Sequence, residues 1–365
     1  MGTLDSLRNW FFNTGETQPE EIVNGVEHAD AVFGQLAASK ALPGLSATIA
    51  HHGETLLQKG YGWADITKAS KIDPALTLFR VASISKCITG LAFGKMVEQG
   101  LLGWDDSIYD HVPYFPKKKW DFTLRQLAGH QAGIRPYRGK EFGLNQTLSI
   151  KQGIGVFQED PLLFEPGMGY QYNSFDFVLL ALAMQEASGM PFEEYVKQEV
   201  LLPLDMRHTL TPKEIDPSIA KGTESALFYT KRSGRGFREA IPVDNFYKLA
   251  GGGYLATSAD IAKLGQAVLA GKILRSDTYA ALFEAGSVKG RSTYYGLGFQ
   301  SSFNPSGFRF VGHVGNSVGA YTNFFVFPDQ GVVVSLLINC SDPGVQKELD
   351  GAIDSVLQLF NSHSL

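Results

Sequence analysis

Strand-like sequence gathers at the two ends of this chain, and helical sequence fills the middle. That distribution restricts the fold more than any single motif. Near the N-terminus, residues 45–50 and 55–62 read as a strand and a returning strand on either side of a His52-Gly53 turn signal. Near the C-terminus, residues 321–327 and 332–338 form a second pair across Pro328-Asp329-Gln330-Gly331, with further extended character at 252–257, 293–301 and 307–314. Between them, residues 84–250 read as mostly helical with long irregular connections, including helices at 85–98, 123–130, 174–188 and 192–200. An isolated hairpin is marginal in water, so the two ends are expected to share one sheet. The expected fold is α+β: an antiparallel sheet built from both termini and flanked by helices at 31–39 and 344–360. Residues 1–85 and 250–365 would form the sheet region and residues 86–249 an inserted α-rich region, with the active site in the cleft between them. At 365 residues and 44% hydrophobic, the chain can bury a core of one or two domains.

Composition narrows the function classes. Charged residues make up 19%, the net charge is −5, and no Arg/Lys run suggests a nucleic-acid partner. No apolar stretch reaches the roughly 20 residues of a membrane span. The two cysteines, Cys87 and Cys340, make no disulfide framework. The eight histidines are scattered, with His51-His52 the only adjacent pair. Without H-E-x-x-H or C-x-x-C, no metal is expected. Residues 1–25 lack a basic and then apolar export pattern, and Asp5, Glu16, Glu20 and Glu21 speak against an acidic-poor presequence. A cytoplasmic protein is therefore expected. Met1 to Ser6 fits the loose myristoylation pattern, but Leu4, Leu7, Trp10 and Phe11 read better as an apolar stripe docking on the protein's own body.

The chemistry centres on Ser83-Ile84-Ser85-Lys86. Residues three apart on a helix share a face, so Lys86 Nζ can lie beside Ser83 Oγ. Desolvation disfavours the ammonium and turns a lysine into a base able to activate a serine. A helix N-terminus favours a developing oxyanion. The motif has an alternative reading, a helix N-cap serine and a solvated lysine. A chain of this length yields about one S-x-x-K by chance. Ser218-Ile219-Ala220-Lys221 is such a decoy, between Pro217 and Gly222. Ser83 instead follows a strand-like Phe79-Arg80-Val81 run and precedes Ile88, Leu91, Ala92 and Met96 at helical spacing.

Two further clusters stand out. In Glu165 to Ser174, a Pro166-Gly167 turn leads to Tyr172 just before a helix. A phenol beside a cationic lysine can titrate below its usual range and relay a proton; the alternative is a packed aromatic. In Val311 to Gly319, glycines within strand sequence allow close approach by a ligand or backbone. There the N–H of Asn316, with that of Ser83, could form an oxyanion hole, and His313 could donate to a substrate carbonyl or carboxylate. The alternative is a tight turn with a surface histidine. Gly315-Asn316-Ser317-Val318-Gly319 is also a formal G-x-S-x-G, which would make Ser317 a nucleophile. That elbow needs a helix directly after the serine, and strand sequence follows instead. It also needs an acid and then a histidine downstream, and only His363 follows.

Taken in order, Ser83-x-x-Lys86, Tyr172-x-Ser174 and His313-x-Gly315 resemble the serine β-lactamase-like and penicillin-binding-protein-like hydrolases. The resemblance is to their class C branch, with family VIII carboxylesterases, D-aminopeptidases and mitochondrial β-lactamase-like serine proteases. LPGLSATIAHHGETLLQKGYGWAD resembles the family's opening hairpin and FTLRQLAGHQAGI its T-L-x-x-L-L-x-H-x-S-G-I segment. YDHVPYFPKKKW and VDNFYKLAGGGYLATSADIAKLGQAVLAG are similar to the mitochondrial-type branch. Coverage is about residues 28–360. The resemblance implies a β-lactamase/transpeptidase-like fold and an acyl-enzyme mechanism without a cofactor. Ser83 would be the nucleophile, Lys86 the base and Tyr172 the proton relay. It also implies a small ester or peptide substrate and, from the mitochondrial-type branch, a homo-oligomer or filament. Two departures matter. Ser174 stands where Tyr-x-Asn is usual, and His313 where Lys-Thr-Gly is usual, which weakens the grip on an amide carbonyl and on a carboxylate. Both favour short-chain esters, then peptides or D-amino-acid amides, over β-lactams. The alternative from another class is a catalytically silent filament or binding module, whose signature would be a missing member of the Ser83, Lys86 and Tyr172 set, and none is missing.

Overall fold

A computed structural model describes residues 24–215, 224–232 and 236–360. The stripe Leu4, Leu7, Trp10 and Phe11, the Ser218 to Lys221 decoy and His363 lie outside the described residues. In chain order, α1 (Gly25–Ala38) leads into β1 (Gly44–His51) and β2 (Glu54–Asp65). A short β3 (Ser70–Lys71) and β4 (Thr77–Arg80) precede α2 (Ile84–Glu98), and α3 (Phe175–Ser188) runs through the middle of the helical region. The last third supplies β5 (Leu255–Ala256), α4 (Ser258–Leu269), β6 (Gln300–Phe303), β7 (Arg309–Ser317), β8 (Ala320–Phe327), β9 (Val332–Ile338) and α5 (Gln346–Gln358).

The main sheet has seven strands in the order β6-β7-β8-β9-β1-β2-β3. The two ends of the chain meet at its centre, where β1 runs antiparallel to β9 with Ala47 opposite Leu336. Every residue of β9 is buried because both faces of the sheet are covered. Val332, Val334, Leu336 and Ile338 face the layer of α1 and α5, and Val333 and Leu337 face α4 and the main core. Such a strand loses the apolar/polar alternation and reads as a continuous apolar run. α5 buries Leu349, Ala352, Ile353, Val356 and Leu357, an apolar stripe at helical spacing. On the opposite face, α4 comes so close that a Cβ on Gly265 would sit 2.4 Å from Val333 Cγ1.

α3 differs in kind. Phe175 through Met184 are all buried, Asp176 included, so this is a core helix covered on every side. The small β5 pairs antiparallel with β4, setting Phe79 opposite Ala256. That pairing aims the chain from β4 into α2.

The extended reading of 293–301 contracts to β6. Tyr294 (φ 56°) and Gly298 (φ 91°) adopt left-handed backbone that no ladder accepts. Gly298 is needed because a Cβ there would fall 2.5 Å from the Lys86 carbonyl oxygen. The extended reading of 252–257 likewise contracts to β5, and the helix α4 that follows it was not anticipated from periodicity. Among the described residues, no helix is long and apolar enough to cross a membrane.

Candidate active site

Ser83 stands where β4 becomes α2. Ala82, just before it, has φ 49°. For a residue with a Cβ, left-handed backbone costs about 1–2 kcal/mol. The Ser83 backbone is already helical (φ −66°, ψ −8°), and its hydroxyl makes no capping bond to α2. Oγ instead lies 2.7 Å from Tyr172 Oη and 3.3 Å from Lys86 Nζ. The spacing expectation for Ser83 and Lys86 is met.

Lys86 is fully buried, because α2 is covered on nearly every side. Its Nζ has three partners: Gly251 O at 2.6 Å, Ser174 Oγ at 3.2 Å and Ser83 Oγ. A neutral amine offers two N–H donors and one lone pair. Carbonyl and Ser174 hydroxyl can take the donors, which leaves the lone pair for the Ser83 hydroxyl proton. Burial draws the Lys86 pKa down to about 7; Cys87 and Asp176 pull it back up, and Lys248 lowers it further. The amine is thus available as a base near neutral pH.

Tyr172 reaches the same point from the loop before α3. Its titration runs against the sequence expectation. Burial pushes the phenol up rather than down, with the Ser83 hydrogen bond only partly offsetting it. A neutral Lys86 supplies no cation to favour a phenolate, so Tyr172 stays protonated. Ser174 opens α3 and, like Ser83, spends its hydroxyl on Lys86 instead of on a cap.

The third cluster lies on β7, held against Ser83. A Cβ on Gly315 would fall 3.0 Å from Ser83 N and 2.2 Å from Thr322 Oγ1, so only glycine lets the strand approach. Thr322 Oγ1 in turn donates to Val81 O at 3.1 Å, tying β8 to the segment before Ser83. The Val314 N–H points off the outer edge of β7 to Gln300 Oε1, 3.1 Å away. Backbone N–H groups two residues apart share a direction, so that of Asn316 points off the same edge, beyond the end of β6. The Asn316 side chain turns away, its Oδ1 accepting from Asp342 N–H at 3.3 Å.

His313 departs from the substrate-donor expectation. It is 1% exposed, with Nδ1 2.6 Å from Val314 O and Nε2 3.1 Å from Tyr295 Oη. Burial and Lys86 draw it down to about 3, so it is neutral and both nitrogens are engaged inside the protein. Ser317 is not at an elbow: it ends β7 and the chain turns back directly into β8.

Sequence reasoning missed a buried group behind Tyr172. His130 Nδ1 lies 2.8 Å from Asp176 Oδ2, both residues fully buried. Asn173 Nδ2 donates to the same oxygen at 2.7 Å. The available signal was an aspartate in the otherwise apolar run from Phe175 to Met184. Gly251, whose carbonyl holds Lys86, carried no signal beyond lying in a glycine triplet.

The beta-lactamase family model matches residues 29–358. Human serine beta-lactamase-like protein LACTB, mitochondrial, is 28% identical over 299 residues, covering 63% of this chain and 54% of its own length. The match thus spans about half the length of that curated relative. Among solved structures, the octameric penicillin-binding protein homologue from Pyrococcus abyssi is similar with a TM-score of 0.79 at 24% identity, covering 93% of this chain and 78% of that one. The D-amino acid amidase from Ochrobactrum anthropi SV3 follows with a TM-score of 0.77 at 19% identity, covering 93% and 99%. At these identities the two structures speak to the fold. The chain belongs to the beta-lactamase family, with the β-lactamase/transpeptidase-like fold.

Proposed function

We propose that the protein is a carboxylesterase acting on short-chain esters through a covalent acyl-enzyme on Ser83. The observation that carries this reading is Ser83 Oγ, held between the buried amine of Lys86 and the phenol of Tyr172. Neutral Lys86 takes the Ser83 proton as Oγ attacks the ester carbonyl. The developing oxyanion is met by the N–H groups of Ser83 and Asn316, at the edge where Gly315 brings β7 against α2. Collapse expels an alkoxide, which takes the proton held on Lys86 through Tyr172 and leaves as the alcohol, returning Lys86 to the neutral amine. Water then attacks the acyl-enzyme, its proton passing to Lys86 and on to Ser83 Oγ as the Oγ–acyl bond breaks and the free acid is released.

Two features favour esters. An alkoxide leaves with less protonation than an amine. His313, with both nitrogens engaged, offers no cation or free donor to a substrate carboxylate. One observation supports amide hydrolysis as the second reading: a phenol kept protonated by burial can protonate a departing amine. The amidase whose fold this chain shares is named for that chemistry. Initial rates on p-nitrophenyl acetate and butyrate, against D-phenylalanine amide and a β-lactam, separate the readings. The expected order is esters first, amide second, β-lactam last. An amide turned over at the ester rate would overturn the ester assignment in favour of an amidase.

A further inference from the structure

We propose that His130, held by Asp176, is a positioning residue for Tyr172. The proposal rests on the Ser83–Lys86–Tyr172 reading and goes beyond it.

The 130–134 segment grips the chain on both sides of Tyr172. Before it, Gln171 N–H donates to the His130 carbonyl at 2.9 Å. After it, Asn173 Nδ2 donates to Ile134 O at 3.1 Å and to Asp176 Oδ2, the oxygen bonded to His130 Nδ1. Asn173 Oδ1 completes the ring by accepting Asp176 N–H at 2.8 Å. The tyrosine itself meets the imidazole, with ring centroids 4.6 Å apart at 62°, an edge-on contact. Tyr295 packs against both rings, 4.7 Å from His130 and 6.0 Å from Tyr172, and connects to His313.

The pair is an improbable choice for stability alone. His130 has φ 59°, strained for a residue with a side chain. His130 Nε2 and Asp176 Oδ1 are buried without a partner. Burial holds the imidazole neutral and pushes the carboxyl up. An apolar pair would fill the same space without stranding polar atoms. What the polar pair adds is direction. It fixes the ring that sets where Tyr172 Oη sits, 2.7 Å from Ser83 Oγ. His130 touches no reacting atom, and its effect passes through Tyr172.

A double-mutant cycle in the full-length chain tests this. His130→Asn suits the left-handed backbone and can still bond Asp176, but removes the ring from Tyr172. Expected is a fall in kcat of about tenfold or more with KM held within about threefold. In a Tyr172→Phe background the same change should lower kcat by less than about threefold, since its route is gone. Asp176→Asn, which keeps a partner for Nδ1, should recover much of what Asp176→Ala loses. An additive cycle in an impaired Tyr172→Phe enzyme overturns the positioning role alone. Equal losses in Asp176→Asn and Asp176→Ala also overturn it, since charge rather than the hydrogen bond would then matter. Wild-type turnover by Tyr172→Phe overturns the catalytic reading beneath it.

Discussion

Two helices of this molecule begin with a hydroxyl residue and use it in opposite ways. At α4, Thr257 keeps an extended backbone, and its Oγ1 accepts the N–H of Asp260 at 3.2 Å. That is an ordinary cap, and such caps stabilise by about 1 kcal/mol. At α2, Ser83 is already helical and caps nothing. α3 repeats the pattern of α2, with Ser174 turned to Lys86. α2 thus forgoes a cap and adds the strained Ala82. The difference teaches where the fold gives up stability: hydroxyls withheld from helix ends converge on one buried amine.

The comparison should break most visibly at Ser83. Ser83→Ala is expected to lower kcat by about 10⁴-fold or more. Because no cap is lost, its thermal midpoint should match or exceed the wild type, as read by calorimetry. Lys86→Met keeps an unbranched side chain of similar bulk but removes the amine, and should lower kcat/KM by about 10³-fold.

The same amine sets the pH profile. With Lys86 held at about 7, the base is neutral above that value and protonated below it. kcat/KM should therefore rise with pH through about 7, falling about tenfold per unit on the acid side. A profile flat down to pH 5 would remove Lys86 from the role of base.

Gly315→Ala tests the strand against the helix. The new Cβ must displace β7 or the Ser83 backbone, with an expected loss of about 10²-fold in kcat/KM on esters. The smallest effect on activity belongs to the capped helix. Thr257→Ala should lower the unfolding free energy by about 1 kcal/mol in urea titrations, with kcat/KM within about twofold of wild type. A Thr257→Ala enzyme that is stable but inactive would erase the contrast between the two helices.

What the sequence disclosed follows from the same physics. The sheet closed from both ends was legible because strand-forming sequence flanks turn signals at both ends, with β9 a nearly continuous apolar run, the mark of a strand covered on both faces. Ser83 and Lys86 were legible because helical spacing is a local property. The direction of the Tyr172 shift was misread because it is set by the phenol's own burial, which no local window shows. His313 was misread because the aim of its ring is set by Tyr295, eighteen positions earlier in the chain. The helix α4 was overlooked although its signal was present: Ile261, Leu264 and Val268 recur at helical spacing after the Thr257 cap. His130 and Asp176 meet across forty-six residues, and only the fold joins them.

The most direct test of the central claim is to map, by mass spectrometry, the residue labelled by a reactive fluorophosphonate. Modification of Ser83 is expected, and its abolition in a folded Lys86→Met variant. Modification of Ser317, or labelling of Ser83 that persists unchanged without Lys86, would contradict it.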